Sequence, residues 1–180
     1  MKCTSCGAGE LNSAYLESLL PCYRCSNCGG NFFMLRDYLR WKDHNPELDS
    51  NDGTVKVELH ETEKAMVCPK SGGLMTKYRI ASDTDHRLDL SSSIGAVWLD
   101  QGEWELLKEK GLIDSVNTIF TDHWQSEIRS QESADILSAM YQKKFGQHYD
   151  QIKSFRALIN QMESKSEVIA YLLADDPYLP

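Results

Sequence analysis

The spacing of apolar residues predicts that short strands alternate with short helices in the first two thirds of the chain. The segment 97–99 has the composition of a strand. Directly after it, Asp100 and Glu103 form an N-terminal capping pattern for a helix over residues 101–110, which Gly111 should end. We therefore expect a strand that is followed at once by a short helix.

An earlier stretch has the same order. A short helix is expected over residues 35–42, with an apolar face of Leu35, Tyr38, Leu39 and Trp41. The aromatic residues here could pack into a core or stack on nucleic-acid bases. We favour packing, because a small module has little else from which to build a core; the residues concerned are Phe32, Phe33, Tyr38 and Trp41. Further along, residues 55–60 alternate apolar with polar, which is the period of a half-buried strand.

From Thr118 onward the apolar period is helical. Phe120 and Trp124 fit one short amphipathic segment, and another helix should open at Ser133 and end at Gly146. Two further helices are expected, one with the apolar residues Tyr149, Ile152, Phe155, Ile159 and Met162, and one capped by Ser164 and Glu167. We expect these faces to form a small bundle or to pack on the preceding module, as a helical domain or dimerisation element; the alternative is a groove for a partner helix.

Composition and charge narrow the classes of function. The chain has 180 residues, of which 41% are apolar and 26% charged, as in a globular protein. Its net charge is −8, and residues 1–44 are the one near-neutral part, with five basic and four acidic side chains. Because nucleic-acid binding needs a basic face, any such contact should involve this part. No phosphate-binding loop, dinucleotide-binding glycine pattern or Gly-x-Ser-x-Gly motif occurs in the sequence.

The sequence also predicts the location of the protein. The longest apolar run, Val168 to Ala174, is seven residues, whereas a membrane helix needs about 18. The residues after Met1 lack the apolar stretch of a secretory signal. We therefore expect a cytoplasmic protein that does not contact the membrane.

Six cysteines carry the clearest chemical signal, and five of them fall within the first 28 residues; they are Cys3, Cys6, Cys22, Cys25, Cys28 and Cys68. The pairs Cys3/Cys6 and Cys25/Cys28 have the spacing of a four-thiolate zinc site. Glycine follows each pair, which allows the turn to direct backbone N–H groups at the sulfur atoms. We predict one Zn²⁺ per chain, held by Cys3, Cys6, Cys25 and Cys28.

Cys22 leaves an alternative open, because Cys22 and Cys25 also form a Cys-x-x-Cys pair. We prefer the pair Cys25/Cys28, since only that register places glycines directly after it. Cys22 is then a small buried residue, with an alternate ligand or a reactive thiol as the other interpretations. A four-thiolate site has no open position for water or substrate, so the predicted metal is structural and no catalytic residue is assigned.

A second, degenerate copy of the cysteine pattern is predicted about 65 residues later. Aligned on the first copy, the four ligand positions become Cys68, Ser71, Ser91 and Ile94. A single thiol cannot hold zinc, so packing and hydrogen bonds must stabilise this copy. Ile94 would fill space that the metal occupies in the first copy.

These residues resemble the transcription factor zinc-finger family, small zinc ribbons similar to that of general transcription factor IIB. The ligand half of the family pattern matches Cys3, Cys6, Cys25, Cys28, Gly29 and Gly30, and its Trp-Leu-Asp-x-Gly-Glu tail matches residues 98–103. The resemblance covers about 105 residues. It implies a zinc-ribbon fold with structural zinc and a connection with transcription, but no particular activity.

Together these observations predict a small α+β protein: two zinc-ribbon-like β-hairpin modules, each followed by a short helix, and then an α-helical region. The expected boundaries are 1–44 for the intact ribbon, 45–54 for an acidic linker, 55–114 for the degenerate module and 115–180 for the helical region.

We predict a non-catalytic adaptor or regulator that binds another macromolecule. A protein partner is favoured by the acidic charge, and nucleic acid is the alternative, through the basic residues Lys2, Arg24, Arg36, Arg40 and Lys42. The least favoured interpretation is an enzyme that uses Cys22 or the cluster of Asp83, Asp85, Asp89, His60 and His86; we expect residues 83–86 to be a solvated acidic turn instead.

Overall fold

The computed structural model describes residues 1–45, 62 and 64–175. The chain divides into two compact units, residues 1–131 and 132–180. The first unit contains a sheet and short helices, and the described part of the second unit is helical. The predicted mixed α+β class is therefore confirmed. The boundaries 1–44, 45–54, 55–114 and 115–180 stay predictions, and residues 46–60, which include most of the predicted linker and the predicted strand 55–60, lie outside the described residues.

The described strands form one antiparallel sheet of six in the order β1-β2-β3-β6-β5-β4. The central pair is β3 and β6, in which Phe32 lies opposite Trp98 and Phe33 opposite Val97. Each of these strands continues a three-stranded meander toward its own edge of the sheet. The strands are β1 Leu11–Tyr15, β2 Pro21–Cys25, β3 Asn31–Met34, β4 Thr76–Arg79, β5 Arg87–Ser91 and β6 Ala96–Leu99.

Each central strand leads into a helix: α1 begins directly after β3, and α2 begins shortly after β6. The described helices are α1 Leu35–His44, α2 Glu103–Glu109, α3 Val116–Ile119, α4 Asp122–Phe145, α5 Tyr149–Asn160 and α6 Lys165–Leu173. Short 3₁₀ turns occur at Glu17–Leu19, Ile113–Ser115 and Gly146–His148. No described helix combines the length and apolar character needed to cross a membrane.

One face of the sheet carries the main hydrophobic core of the first unit. Side chains of Phe33, Val97 and Leu99 pack there with residues of α1, α2 and α3, among them Tyr38 and Trp104. The Tyr38 hydroxyl donates to the carbonyl of Ile113 and accepts from the N–H of Val116, so its polar atom is satisfied within the core. The prediction that Phe32, Phe33, Tyr38 and Trp41 serve packing is consistent with their burial.

The opposite face carries a second cluster, which includes the cysteines of the predicted metal site. Phe32 and Trp98, neighbours on the central strands, are both buried here with Cys3, Cys25 and Cys68. Side chains alternate between the two faces of a strand. The sequence Phe32-Phe33 therefore supplies one ring to each cluster.

At the β4 edge of the sheet, a side chain takes the place of a neighbouring strand. The Gln125 amide accepts a hydrogen bond from the N–H of Arg79 and donates one to the carbonyl of the same residue, at 3.2 and 2.9 Å. A side chain that satisfies an edge in this way blocks pairing with another chain at that point.

Several predicted helix details were wrong. The N-cap of α2 is Gly102, not Asp100, and the Asp100 carboxylate bonds to other groups. Only half of the predicted capping pattern forms, in which Glu103 Oε2 accepts from the N–H of Asp100 at 2.7 Å. Leu39 is exposed rather than part of the buried face of α1.

The predicted division of the helical region was also wrong. The segment with Trp124 and the helix expected to open at Ser133 are one continuous helix, α4. Nothing between these residues, neither glycine nor proline, interrupts a helix that has already begun. Most of the apolar stripes of the second unit are exposed rather than packed into a bundle.

Candidate metal centre

The structure brings the sulfur atoms of Cys3, Cys6, Cys25 and Cys28 together at one end of the sheet. All four atoms lie within 4.8 Å of one another, and this is the one group of metal-binding residues found among the described residues. The first pair precedes β1. In the second pair, Cys25 ends β2 and Cys28 lies in the turn that leads to β3. The pairing of β1 with β2, in which Leu11 lies opposite Cys25, joins the two turns.

The spacing of the sulfur atoms suits a tetrahedral Zn²⁺. The Sγ atoms of Cys3 and Cys28 are 3.8 Å apart, and those of Cys6 and Cys25 are 3.7 Å apart. Four sulfur atoms at a Zn–S distance of about 2.3 Å lie about 3.8 Å from one another in a regular tetrahedron. The donor set and its geometry therefore fit one Zn²⁺ without an open coordination position.

The two cysteine turns have matching backbone geometry. Gly7 and Gly29 have φ angles of +68° and +69°, and their N–H groups donate to the carbonyls of Cys3 and Cys25. This left-handed conformation favours glycine. Further N–H groups in these turns bond to sulfur: Gly9 donates to Cys6 at 3.3 Å and Asn27 donates to Cys25 at 3.4 Å. Such hydrogen bonds stabilise thiolates and the metal bonds they form.

The pKa values of the Cys3, Cys6 and Cys28 thiols differ because their burial and hydrogen bonds differ. Burial raises the pKa of Cys6, but the N–H groups of Ala8 and Gly9 and the Asn27 side chain outweigh it and lower that pKa to about 6. Burial raises the pKa of Cys3 to about 11, and it raises the pKa of Cys28 further. A metal ion that binds at neutral pH must therefore displace protons from Cys3 and Cys28.

Cys22 lies away from this group. Its side chain is buried in the cluster on the other face of the sheet, with Phe33 and Tyr38. Burial raises the pKa of its thiol, despite the favourable charge of Arg24. The geometry thus agrees with the interpretation of Cys22 as a small core residue, and it does not place Cys22 among the metal ligands.

Trp98 contacts the chain directly after the Cys25/Cys28 turn, at Gly30, although Trp98 lies 68 residues beyond Gly30 in the sequence. A Cβ atom on Gly30 would lie 2.3 Å from Cζ2 of Trp98, so only glycine leaves room for the indole ring. The ring is fully buried in the same cluster as Cys3 and Cys25. The sequence contained both parts of this contact, but it gave no sign that they meet.

A chain of hydrogen bonds connects the Cys3/Cys6 turn with the residue after β6. The hydroxyl groups of Ser5 and Thr62 are 3.0 Å apart, and Thr62 Oγ1 donates to Asp100 Oδ1 at 2.9 Å. The N–H of Thr62 donates to Asp100 Oδ2 and the Trp98 indole donates to Asp100 Oδ1, at 2.6 and 2.8 Å. Sequence reasoning missed Ser5 and Thr62, because neither belongs to a recognisable pattern.

The Cys68 turn has backbone geometry similar to that of the Cys3 turn. Gly72 has a φ of +72° and its N–H donates to the carbonyl of Cys68, as Gly7 does to Cys3. The hydroxyl groups of Ser71 and Ser91 are 3.3 Å apart. Burial raises the pKa of Cys68, but hydrogen bonds from Ser71 and Ser91 outweigh it, so this pKa lies below its usual value.

The aspartate and histidine cluster does not form a single site among the described residues. Asp83 pairs with Lys110 at 2.7 Å, and Asp85 is exposed, as expected of a solvated turn. His86 departs from that expectation, because its Nδ1 lies 3.9 Å from the buried Glu103. Asp89, beyond this turn, is buried and pairs with Lys77 at 3.0 Å. His60 lies outside the described residues.

Comparisons with known proteins agree with the geometry of the four-cysteine site in residues 2–44. No curated protein and no solved structure gave a significant match to the chain. Residues 2–44 match the model of the family described as transcription factor zinc-finger, which supports a zinc ribbon in this segment. The four cysteines lie within the matched residues, and together they fit one Zn²⁺.

Proposed function

We propose that this protein is a non-catalytic zinc-binding adaptor or regulator that acts by binding another protein. The observation that carries the proposal is the closed site of four thiolates, which occupies every coordination position of the metal. In such a site the metal joins Cys3, Cys6, Cys25 and Cys28 into one folded turn and leaves no position for substrate. The metal stabilises the fold, and the function belongs to the surface around it.

The surface of the cysteine turns supports a protein partner over nucleic acid. Residues 4–9 and 26–30 contain no lysine or arginine, so the turns cannot neutralise phosphates. Arg24 donates its Nε–H to Asn31 at 3.0 Å, and Arg36 lies 3.7 Å from the Asp37 carboxylate. The basic groups on which the nucleic-acid alternative rests are therefore partly engaged within the protein.

The β1–β2 hairpin presents apolar side chains that suit a protein interface. Tyr15 and Tyr23 are 62% and 41% exposed, and the register of β1 and β2 places both on the same face. Leu19, between the strands, is 75% exposed and has a φ of +70°, a conformation that is unfavourable for leucine. Exposed tyrosines and strained residues are both enriched at functional surfaces.

A co-purification experiment tests the partner class. Zinc-loaded wild type should retain specific proteins, and the double variant Tyr15→Ser/Leu19→Ser should lose them. Leu74→Ser is the matched control, because Leu74 is 74% exposed on the same unit. Equal retention by all three proteins would contradict the hairpin as the binding surface.

Nucleic-acid binding, the alternative, makes a different prediction. An electrostatic complex would form at low salt and weaken steeply as salt rises, and it would depend on the exposed Arg36 and Arg40 of α1. A gel shift at low salt that disappears in Arg36→Gln/Arg40→Gln would favour this alternative. We expect no shift for wild type.

The absence of a catalytic role is also part of the proposal. The buried position of Cys22 and the raised pKa of its thiol oppose the reactivity that a nucleophile needs. We expect that Cys22 in the zinc-loaded protein reacts with iodoacetamide at neutral pH no faster than a buried thiol. Rapid and selective alkylation of Cys22 would revive the enzyme interpretation.

We further propose that residues 55–114 are a degenerate zinc ribbon that no longer binds metal. Matching turns at Cys3 and Cys68 support this, as does the mirrored order of the six strands about the central pair β3 and β6. With Ser71, Ser91 and Ile94 at the remaining positions, one thiol is left. The test is a zinc content of one per chain.

A further inference from the structure

The second compact unit, residues 132–180, has almost no core of its own. Within residues 132–175, Ile159 is the one apolar side chain that is buried. Helical units of this size are marginal even when they bury a full stripe from each helix. Three helices that bury so little apolar surface need a further surface to cover them.

The uncovered side chains are arranged in stripes. Within residues 132–175, eleven large apolar side chains are at least 38% exposed. On α5, Ile152, Phe155 and Leu158 recur at intervals of three residues, so they share one face of the helix, and the exposed Met162 follows the end of the helix. On α6, Leu172 and Leu173 are 50% and 81% exposed. We name the exposed apolar side chains of this unit the C-terminal apolar surface.

We propose that a second copy of this chain covers the C-terminal apolar surface, so that the protein is a homodimer joined through residues 132–180. This goes beyond the function proposed above, which concerns the surface of the first unit. In this dimer, the helices of the second unit bury their apolar side chains against those of the other copy and form a shared hydrophobic core.

The exposed area agrees with what a stable dimer needs. Complete burial of one large apolar side chain removes about 100 Å² from water. Eleven side chains that are about half exposed therefore offer roughly 500 Å². A standard interface buries about 800 Å² per partner, of which somewhat more than half is apolar. An apolar area of this size is comparable to the largest exposed patch of a typical monomer, and such patches often mark interaction sites.

Charge supports a second copy as the occupant. Residues 132–180 carry five basic and seven acidic side chains, so the unit is nearly neutral although the chain is acidic. On α5 both signs occur, since this helix carries Asp150, Lys153 and Arg156. In a two-fold dimer such a mixed surface can place basic groups against acidic groups of the other copy, whereas a surface of one sign would repel itself.

Sedimentation or light scattering on the zinc-loaded full chain tests the proposal. Wild type should have twice the chain mass of 20.5 kDa at micromolar concentration. Phe155→Glu places a charge on the C-terminal apolar surface of both copies, and we expect it to weaken dimerisation about 100-fold or more. The matched control is Ala157→Glu, which adds the same charge on the side of α5 that faces away from Phe155.

A second measurement does not depend on any variant. In wild type, amide exchange of α5 and α6 should slow as the protein concentration rises through the dimerisation range, while exchange of β3 and β6 should not change. The proposal is overturned if wild type has the mass of one chain at about 100 μM. It is also overturned if Phe155→Glu and Ala157→Glu dimerise equally, or if exchange of α5 is independent of concentration.

Discussion

At the scale of the residue, Cys25 is held by contacts on several sides. Its side chain is 3% exposed, its Sγ accepts from the N–H groups of Asn27 and Cys28, and it lies 3.7 Å from Cys6 Sγ. Cys22, three residues earlier in the same strand, has its side chain in the other cluster. The two residues therefore provide a direct comparison between a metal-binding thiol and a core thiol.

Replacement of these two cysteines should have opposite effects on metal content. We expect Cys25→Ala to reduce zinc from one per chain to nearly none, because three thiolates cannot close the tetrahedron. Cys22→Ala should keep one zinc and lose about 1 kcal/mol of stability through a small core cavity. Elemental analysis of the purified variants measures this. Zinc loss from Cys22→Ala, together with retention of zinc in Cys28→Ala, would assign the ligands to the other register, in which Cys22 and Cys25 form the second pair.

The pKa values of the thiols predict how zinc affinity depends on pH. Burial holds Cys3 and Cys28 protonated at neutral pH, since it raises the pKa of Cys3 to about 11 and the pKa of Cys28 further. Zinc must displace these protons, so affinity should rise with pH between 6.5 and 8.5, about tenfold per pH unit for each proton displaced. Cys6, with its pKa lowered to about 6, should contribute only at the acidic end.

Competition with a chromophoric chelator of known pH dependence measures this affinity. The proton release that accompanies zinc binding can be measured independently from the heat of binding in buffers of different ionisation enthalpy. An affinity that does not change over this range, with no proton release, would mean that the buried thiols are already ionised.

At the scale of the element, the contact of the cysteine turn with β6 predicts which glycine substitution the fold accepts. Gly30→Ala should reduce the free energy of unfolding by about 1–3 kcal/mol, because the new Cβ would lie 2.3 Å from the Trp98 ring. Gly73→Ala is the matched control, since its nearest neighbour would be Ser71 Oγ at 3.7 Å. Denaturant unfolding of both zinc-loaded variants checks the difference. Equal stabilities would show that the ring moves aside without cost.

The elements that could be predicted are those specified by neighbouring residues. The cysteine spacing and its glycines predicted the site, and the period after Cys28 predicted α1 with its buried Tyr38 and Trp41. The pairing of β3 with β6 could not be predicted, because it joins residues more than 60 positions apart and no local pattern specifies it. For the same reason the position of Trp98 against Gly30 was not foreseen.

Two errors came from local patterns that tertiary contacts override. Asp100 and Glu103 have the spacing of a capping pair, but the Asp100 carboxylate bonds to Thr62 and Trp98 and is not available to the helix. Ser133 resembles the start of a helix, yet it lies inside α4, which has already begun at Asp122. Periodicity also showed which helical faces in residues 132–175 are apolar, but it could not show that most of them remain uncovered.

At the scale of the whole molecule, the strand order of the sheet is symmetric about the central pair β3 and β6. The Cys3 turn precedes β1 and the Cys68 turn precedes β4, so the two turns adjoin equivalent strands. Cys6 and Cys25 face one another at 3.7 Å, and Ser71 and Ser91 face one another at 3.3 Å in the corresponding turn. If residues 55–114 descend from a metal-binding ribbon, the backbone around Cys68, Ser71, Ser91 and Ile94 should still be suited to a metal. That expectation can be tested by restoration of the missing ligands.

We expect the triple variant Ser71→Cys/Ser91→Cys/Ile94→Cys to bind a second zinc per chain, because Cys68 would then complete a four-thiolate set. The matched control is Ser71→Cys/Ser91→Cys, which has three thiols and should keep one tightly bound zinc. Both are measured by elemental analysis under reducing conditions, with circular dichroism as a check of folding. A folded triple variant that still binds one zinc would mean that the second turn only resembles the first along the backbone. Its hydroxyl and isoleucine side chains would then belong to an arrangement that was never able to close around a metal.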